Sequence, residues 1–291
     1  MIQLDRYPLA DSERVEISRL LASIKGDLSL CSLWALMDQA WLVHGCDEQP
    51  LRRESLDAFY RDPIWVLNGM FIEQDAESMA HRRVFASVLA SCKPRRILDV
   101  GGGFGTLARL VNKVSPGSFV DLLEPYPTQC MKKLCEEFSG IKFVSSFESN
   151  RYDALVCTDV LEHVQDPLAL LRSMVASVVP GGYLLIANCF EPVIACHLPS
   201  TFHLRYSFDA CCSRMGLRRL SCDELPYGAF YQKVEEVDLS NALLESLLRR
   251  SQRWYPLRCW SERWLSPVAL RMMKAWREPM HYPRALVRRL R

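Results

Sequence analysis

Through most of the first ninety residues, apolar side chains recur every three or four positions, the period of amphipathic helices. The segments DSERVEISRLLASI (11–24), LCSLWALMDQAWLV (30–43), ESLDAFY (54–60) and DAESMAHRRVFASVLASC (75–92) predict helices. The first opens on an Asp-Ser pair able to cap a helix N-terminus. No strand-like alternation interrupts them. Near residue 95 the texture changes to short β-branched and leucine runs separated by helical stretches. RRILDV, SFVDLLEP, IKFVSS, YDALVCT and YLLIANC predict strands, with TLARLVNKV, YPTQCMKKLCEEF and PLALLRSMVASVV as helices between most of them. SFDACCSRMG reads as a further helix, and LRRLSCDE and FYQKVEEV as two last strands. Strands alternating with helices of this length predict a mostly parallel sheet covered on both faces, and the last pair supplies an antiparallel edge.

Composition narrows this picture. With 49% hydrophobic and 24% charged residues, the chain suits an ordinary soluble protein with a full core. It has no apolar run of membrane-spanning length. The start, MIQLDRYPLADSERVE, has no basic region followed by an apolar stretch, so a cytoplasmic protein is expected. The twelve cysteines are scattered through predicted core segments, which suits free thiols in a reducing compartment. Charge is uneven. Residues 249–291 carry twelve Lys or Arg and two Glu, leaving 24 basic against 32 acidic groups on residues 1–248, net −8.

The strand RRILDV ends in GGGFG. Asp99 closes the strand, and Gly101, Gly103 and Gly105 lie in the turn that feeds the next helix. Such glycines allow a tight turn and a close backbone approach to a ligand at the helix N-terminus. The spacing fits G-x-G-x-x-G only in part, because Thr106 holds the third position. Glu124 follows the second strand, where a carboxylate can accept both hydroxyls of a ribose. Together these features predict an adenosine-containing cofactor and leave open whether it is a dinucleotide or S-adenosylmethionine.

ILDVGGGFG, VDLLEPYP, YDALVCTDVLEHVQDP and VVPGGYLLIA together resemble the class I S-adenosylmethionine-dependent methyltransferases, over about residues 95–235. The resemblance implies a Rossmann-like seven-stranded sheet in a cofactor-binding core (93–237) that follows an N-terminal helical cap (1–92); charge and tryptophan content set off a basic, Trp-rich C-terminal extension (238–291). It implies S-adenosylmethionine as cofactor, with Asp99, Gly101 and Gly103 facing the methionine part and Glu124 the ribose. Asp159 and Tyr60 join the expected cofactor contacts. Where the family often has an acid near the adenine amine, Ser146 and Phe147 stand. Phe147 is expected either to cover the ring or to belong to the core.

TDVLEHVQDP follows the fourth strand, at the edge expected to hold the methyl acceptor. Asp159, Glu162 and His163 can be a metal-free scaffold, the ligands of a hard cation, or, through His163, a general base. No metal centre is expected. The segment FEPVIACHLPSTFHLRY follows the fifth strand as a lid over the acceptor. His203 and His197 are its candidates for acid–base work, Arg205 for an acceptor carboxylate or phosphate, and Tyr206 for a hydrogen bond to acceptor or cofactor. Zinc is not expected, because Cys196 and His197 are adjacent and no C-x₂-C pair lies nearby. In the cap, Tyr60, Trp65, Asn68 and Phe71 are candidates to line the acceptor pocket. Arg82 and Arg83 are expected on a solvated helix face.

These features predict a methyltransferase for a small molecule, with oxygen, nitrogen or carbon as acceptor atom. Two alternatives are a macromolecular or carrier-bound substrate docked by the basic extension, and a cofactor-fold protein without chemistry. A nicotinamide oxidoreductase fits the glycine loop but not the LEHV and PGG segments. Pro256, Pro267, Pro279 and Pro283 argue against one long helix in the extension. That extension can pack on the body or meet a membrane surface, a protein or carrier partner, or nucleic acid. Nucleic acid is disfavoured by the acidic body and by the absence of an N/D-P-P-Y/F motif.

Overall fold

The computed structural model describes residues 2–236 and 240–264. Five helices open the chain: α1 (Asp11–Ala22), α2 (Leu30–Val43), α3 (Arg53–Tyr60), α4 (Ile64–Gln74) and α5 (Ala76–Ser91). The boundaries follow local chemistry. The Ser29 hydroxyl accepts from the Ser32 N–H to cap α2, and the Asp75 carboxylate accepts from the Ser78 N–H to cap α5. The periodicity delineates no α4, because none of its residues is exposed, with Ile64, Val66, Leu67, Gly69, Met70 and Phe71 buried and the rest half-buried. A helix without a polar face has no amphipathic stripe to read.

The rest of the first unit alternates as expected: β1 (Arg96–Val100), α6 (Thr106–Val114), β2 (Phe119–Leu123), α7 (Gln129–Glu136), β3 (Ile141–Val144), β4 (Tyr152–Thr158), α8 (Pro167–Ser177), β5 (Val178–Ala187), α9 (Phe208–Arg214), β6 (Leu217–Leu220) and β7 (Ala229–Lys233). The seven strands form one sheet in the order β3-β2-β1-β4-β5-β7-β6. β1 pairs in parallel with β2 and β4, and β7 runs antiparallel to both β5 and β6. Ile97, Leu98, Ala154 and Leu155 are wholly buried, as strands covered on both faces require. Strand order reverses between β1 and β4. The crevice at their carboxyl ends is therefore the switch point where open α/β sheets bind ligands.

Cap and sheet belong to one compact unit, Met1–Ser240. Two interlocks join them beside the glycine loop. A Cβ built on Gly69 of α4 would lie 2.3 Å from the Phe104 ring, so only glycine lets the helix sit that close. The α4 carboxylate of Glu73 pairs with Arg109 of α6 and accepts the Thr106 hydroxyl at 2.7 Å. None of the twelve cysteines forms a disulfide.

The second unit is described from Asn241 to Trp264, one helix, α10. Contrary to the expectation from the prolines, α10 runs through Pro256. The cost is the hydrogen bond its missing N–H would give the carbonyl one turn back. Pro267, Pro279 and Pro283 lie outside the described residues. Among these residues, no helix is long and apolar enough to cross a membrane.

Candidate active site

One cavity of about 990 Å³ opens at the carboxyl ends of β1, β2, β4 and β5 and is roofed by α2–α5. One wall is the turn after β1. Gly101 has φ +67°, and a Cβ there would lie 2.4 Å from Val160 Cγ2. A Cβ on Gly102 would meet the Asp99 carboxylate at 2.6 Å. Gly103 has φ +50° but open space beside it, the nearest atom to a Cβ being 3.9 Å away. Two of these glycines are thus fixed by close packing, and the third leaves room for a ligand against bare backbone. The Gly103 N–H donates to Glu124 Oε2 at 3.0 Å, and the Tyr126 N–H to Oε1 at 3.1 Å. Asp99 is 2% exposed, and its Oδ2 has no partner. Burial, with Glu124 beside it and Arg82 opposing, pushes its pKa up to about 7. Burial also raises Glu124, against the two backbone amides that favour its charged form. A buried, partnerless carboxyl above a bare glycine backbone fits a cationic ammonium, as on the methionine part of the expected cofactor.

Behind this wall α5 contributes Ser78, His81 and Arg82 to the lining. Arg82 is half-buried and donates to the Ser78 carbonyl at 3.2 Å, whereas Arg83 is exposed. The expected solvated face therefore holds for Arg83 alone. The helix turns Arg82, one position earlier, toward Asp99 and Asp159. Asp159 adopts φ +55°, a left-handed conformation that L residues seldom take. Its Oδ2 accepts the Tyr227 hydroxyl at 2.9 Å. Burial raises its pKa, and the Tyr227 bond opposes that rise. No local signal in the sequence marks Tyr227, which comes from the loop before β7.

The facing wall is assembled from distant segments. Leu30, Trp34 and Met37 come from α2, Tyr60 from α3, and Trp65, Asn68 and Phe71 from α4. Trp65 is fixed by an indole N–H donated to the Phe59 carbonyl at 3.0 Å. The Tyr60 hydroxyl is buried and partnerless, and burial pushes its pKa well up. The Tyr60 ring stacks on Tyr126 at 6.1 Å, and Tyr126 donates its hydroxyl to Asp57 of α3. Helix α3 and the turn after β2 are thereby tied through residues that line the cavity.

Glu162, His163 and His197 complete this wall, each offering one donor atom within 4.8 Å of the others. Glu162 is wholly buried. Its Oε1 accepts the Cys189 N–H at 2.8 Å, and its Oε2 has no partner. Burial, then nearby Asp159, pushes it up to about 8. His163 Nδ1 faces the Cys196 carbonyl at 3.1 Å, and His197 Nδ1 faces the Glu191 carbonyl at 2.7 Å. A carbonyl only accepts, so both rings carry their proton on Nδ1 and keep the lone pair on Nε2. Burial, with His197 nearby, pushes His163 down to about 3, and burial lowers His197 as well.

The structure thus brings together Asp99, Gly101, Gly103, Glu124, Asp159, Tyr60, His163 and His197 on one cavity. His203, Arg205, Tyr206 and Phe147 are not among its lining residues. His203, Arg205 and Tyr206 lie on a 3₁₀ helix, Pro199–Tyr206, with His203 buried. Arg205 pairs with Glu191 and donates to the Tyr206 hydroxyl. Phe147 sits half-buried in the loop after β3. The lid divides accordingly: Cys189, Val193, Ile194 and His197 reach the cavity, and residues 199–206 do not.

Residues 71–233 match the family model described as a methyltransferase domain. The ubiquinone biosynthesis O-methyltransferase of Vibrio vulnificus is 34% identical over 104 residues, covering 32% of this chain and 43% of the relative. That of Bordetella avium is 30% identical over 108 residues, covering 34% and 44%. The chain thus spans less than half the length of these curated relatives. Phosphoethanolamine N-methyltransferase 1 of Haemonchus contortus, solved with phosphoethanolamine and S-adenosylhomocysteine, superposes with a TM-score of 0.53 at 14% identity. That match covers 76% of this chain and 57% of the other, and it speaks for the fold. Glycine turn, strand order and family match agree: the chain belongs to the methyltransferase-domain family, among the class I S-adenosylmethionine-dependent methyltransferases.

Proposed function

We propose that this protein transfers a methyl group from S-adenosylmethionine to an oxygen of a small, largely apolar ring-bearing acceptor. The observation that carries this reading is the continuity of the cavity. It runs from the glycine turn and Glu124 to a wall of Trp34, Met37, Trp65 and Phe71 under the cap. Bound S-adenosylmethionine supplies a methyl on a sulfonium whose sulfur departs as a neutral thioether. The chain's own residues do the rest. Asp99 and the Gly103 backbone hold the methionine part, Glu124 the ribose, and Arg82 and His81 lie where a carboxylate would be received.

Aromatic and thioether side chains hold a flat apolar acceptor by contact area. Aligning its oxygen with the methyl supplies much of the catalysis. A hydroxyl must also shed its proton, and the polar cluster of Glu162, His163 and His197 is the group on that wall suited to lower the cost. The name of the partial relatives, O-methyltransferases, supports oxygen as acceptor atom.

The test is calorimetry with S-adenosylhomocysteine and, in parallel, NAD, followed by a mass-spectrometric screen of hydroxylated aromatic compounds for gain of one methyl. Binding of the homocysteine product alone and a single added methyl are expected. Binding of NAD, or no binding of S-adenosylhomocysteine, would end this reading.

A further inference from the structure

We propose that Glu162, His163 and His197 form a binding site for one divalent first-row transition cation, placed in the acceptor half of the cavity. Three observations converge on it. First, the donor atoms are presented and uncommitted. Both imidazoles spend Nδ1–H on a backbone carbonyl and leave Nε2 as a lone pair, the arrangement that orients metal-ligating histidines. The third donor is Glu162 Oε2, an oxygen without a partner on a wholly buried side chain. An orphaned carboxylate oxygen is costly in so dry a place unless something cationic meets it.

Second, the site is built from two segments that lock each other. The Leu198 N–H donates to the Glu162 carbonyl at 2.9 Å, and the His163 bond to the Cys196 carbonyl runs beside it. Glu191, whose carbonyl aligns His197, has its own carboxylate held by Arg205. Arg205 is therefore a positioning residue for the cluster, two steps removed from the cavity. Asp159, the first acid of the sequence motif, stands outside the cluster, and its Oδ2 takes the Tyr227 hydroxyl. His197, 34 positions beyond His163, completes the set instead.

Third, the donor chemistry selects the cation. Two imidazole nitrogens and one carboxylate suit Zn²⁺, Co²⁺ or Fe²⁺ better than Mg²⁺ or Ca²⁺, which prefer oxygen. One ligand atom of each residue lies within 4.8 Å of the others, a looser limit than the ~3.4 Å edge of a tetrahedral site with ~2.1 Å bonds. Occupancy draws the side chains inward, and the remaining positions open onto the cavity. There the cation lowers the cost of removing an acceptor hydroxyl's proton, which leaves to solvent. That role rests on the methyl-transfer reading; cation binding itself does not.

The experiment is a titration of the chelator-stripped, full-length protein with Co²⁺, followed by visible absorption. One equivalent should bind, with ligand-field bands and no thiolate charge-transfer band. Glu162→Gln, which is near-isosteric and keeps an acceptor for the Cys189 N–H, should weaken Co²⁺ binding by about tenfold or more. His197→Ala should do the same, and His203→Ala on the neighbouring 3₁₀ helix should leave the affinity within about twofold. Should His197→Ala fail to fold, Glu162→Gln alone decides whether the site stands. S-adenosylhomocysteine calorimetry on each variant reports the cofactor wall separately. Absence of stoichiometric Co²⁺ binding, a thiolate band, or equal affinity in wild type and Glu162→Gln overturns the site and leaves the methyl-transfer reading standing. Lost S-adenosylhomocysteine binding in the wild type, with Co²⁺ bound as expected, sinks that reading and leaves the site.

Discussion

On the wall that carries Asp99, Gly101, Gly103 and Glu124, every group comes from two adjacent strands and their turns, between residues 99 and 124. On the facing wall, Trp34, Tyr60, Trp65, His163 and His197 come from three cap helices, the turn after β4 and the segment after β5. The first wall works largely through backbone: bare glycine amides, positive φ and two carboxylates at strand ends. The second works through side chains whose positions depend on long-range packing. On the proposed reading, the ligand common to many enzymes meets the self-contained wall, and the acceptor, which differs between them, meets the composite one.

Four substitutions test this division, taken from the largest effect to the smallest. Gly101→Ala combines a strained φ with a 2.4 Å approach to Val160. S-adenosylhomocysteine affinity measured by calorimetry should fall about a hundredfold or more, from ~3 kcal/mol of strain and overpacking. Val160 lies in the turn after β4, the strand paired with β1 and a contributor to the facing wall, so adding Val160→Ala should recover part of the loss. If it recovers none, the two walls are less coupled than the packing implies.

Asp99→Asn should weaken S-adenosylhomocysteine about ten- to a hundredfold. The same change should stabilise the ligand-free protein at pH 8 by about 1–2 kcal/mol in denaturant titrations. The sign follows from the raised pKa. In the folded protein Asp99 titrates at about 7, far above its ordinary value. Ionising it therefore costs stability progressively as pH rises from about 4 to about 7, and Asn escapes the cost. An ammonium ligand needs the ionised carboxylate, so wild-type affinity should fall by up to about tenfold per pH unit below 7. A flat profile would remove Asp99 from ligand contact.

Trp34→Ala acts on the composite wall. Turnover of an acceptor found in the screen should drop about tenfold, from lost contact area, and S-adenosylhomocysteine affinity should stay within about twofold. Equal losses in both would show that the walls are not separable. Tyr60→Phe is the mildest. Removing a buried, partnerless hydroxyl should leave stability unchanged or raised by up to ~1 kcal/mol in thermal unfolding. A loss of acceptor affinity with that gain would place the hydroxyl on the acceptor.

The same division explains what was legible in the sequence. Strand and helix types through the sheet follow from periodicity, and the glycine turn and Glu124 from local spacing, because their geometry is set within a few residues. α4 carries no amphipathic stripe, and its outline comes only from tertiary burial. Arg82 and Arg83 are indistinguishable by composition, and a rotation of one residue along α5 sends one to the cavity and the other to solvent. His197 and His203 look alike in their loop. What separates them is that the turn before the 3₁₀ helix puts His197 across from His163, a contact between residues 34 apart. Tyr227 stands 68 positions from the Asp159 it serves.

The seam between cap and glycine turn has a consequence for protein engineering. Gly69 lies flush on Phe104, and Glu73 reaches across to Thr106 and Arg109. The helices proposed to face the acceptor are therefore keyed into the loop proposed to receive the cofactor. A cap transplanted from a relative would have to bring its own Gly69 counterpart, small enough to lie against Phe104, and its own anion for Arg109. Exchange of specificity in this protein is better attempted by rewriting the inner face of α2 and α3 than by trading the cap whole.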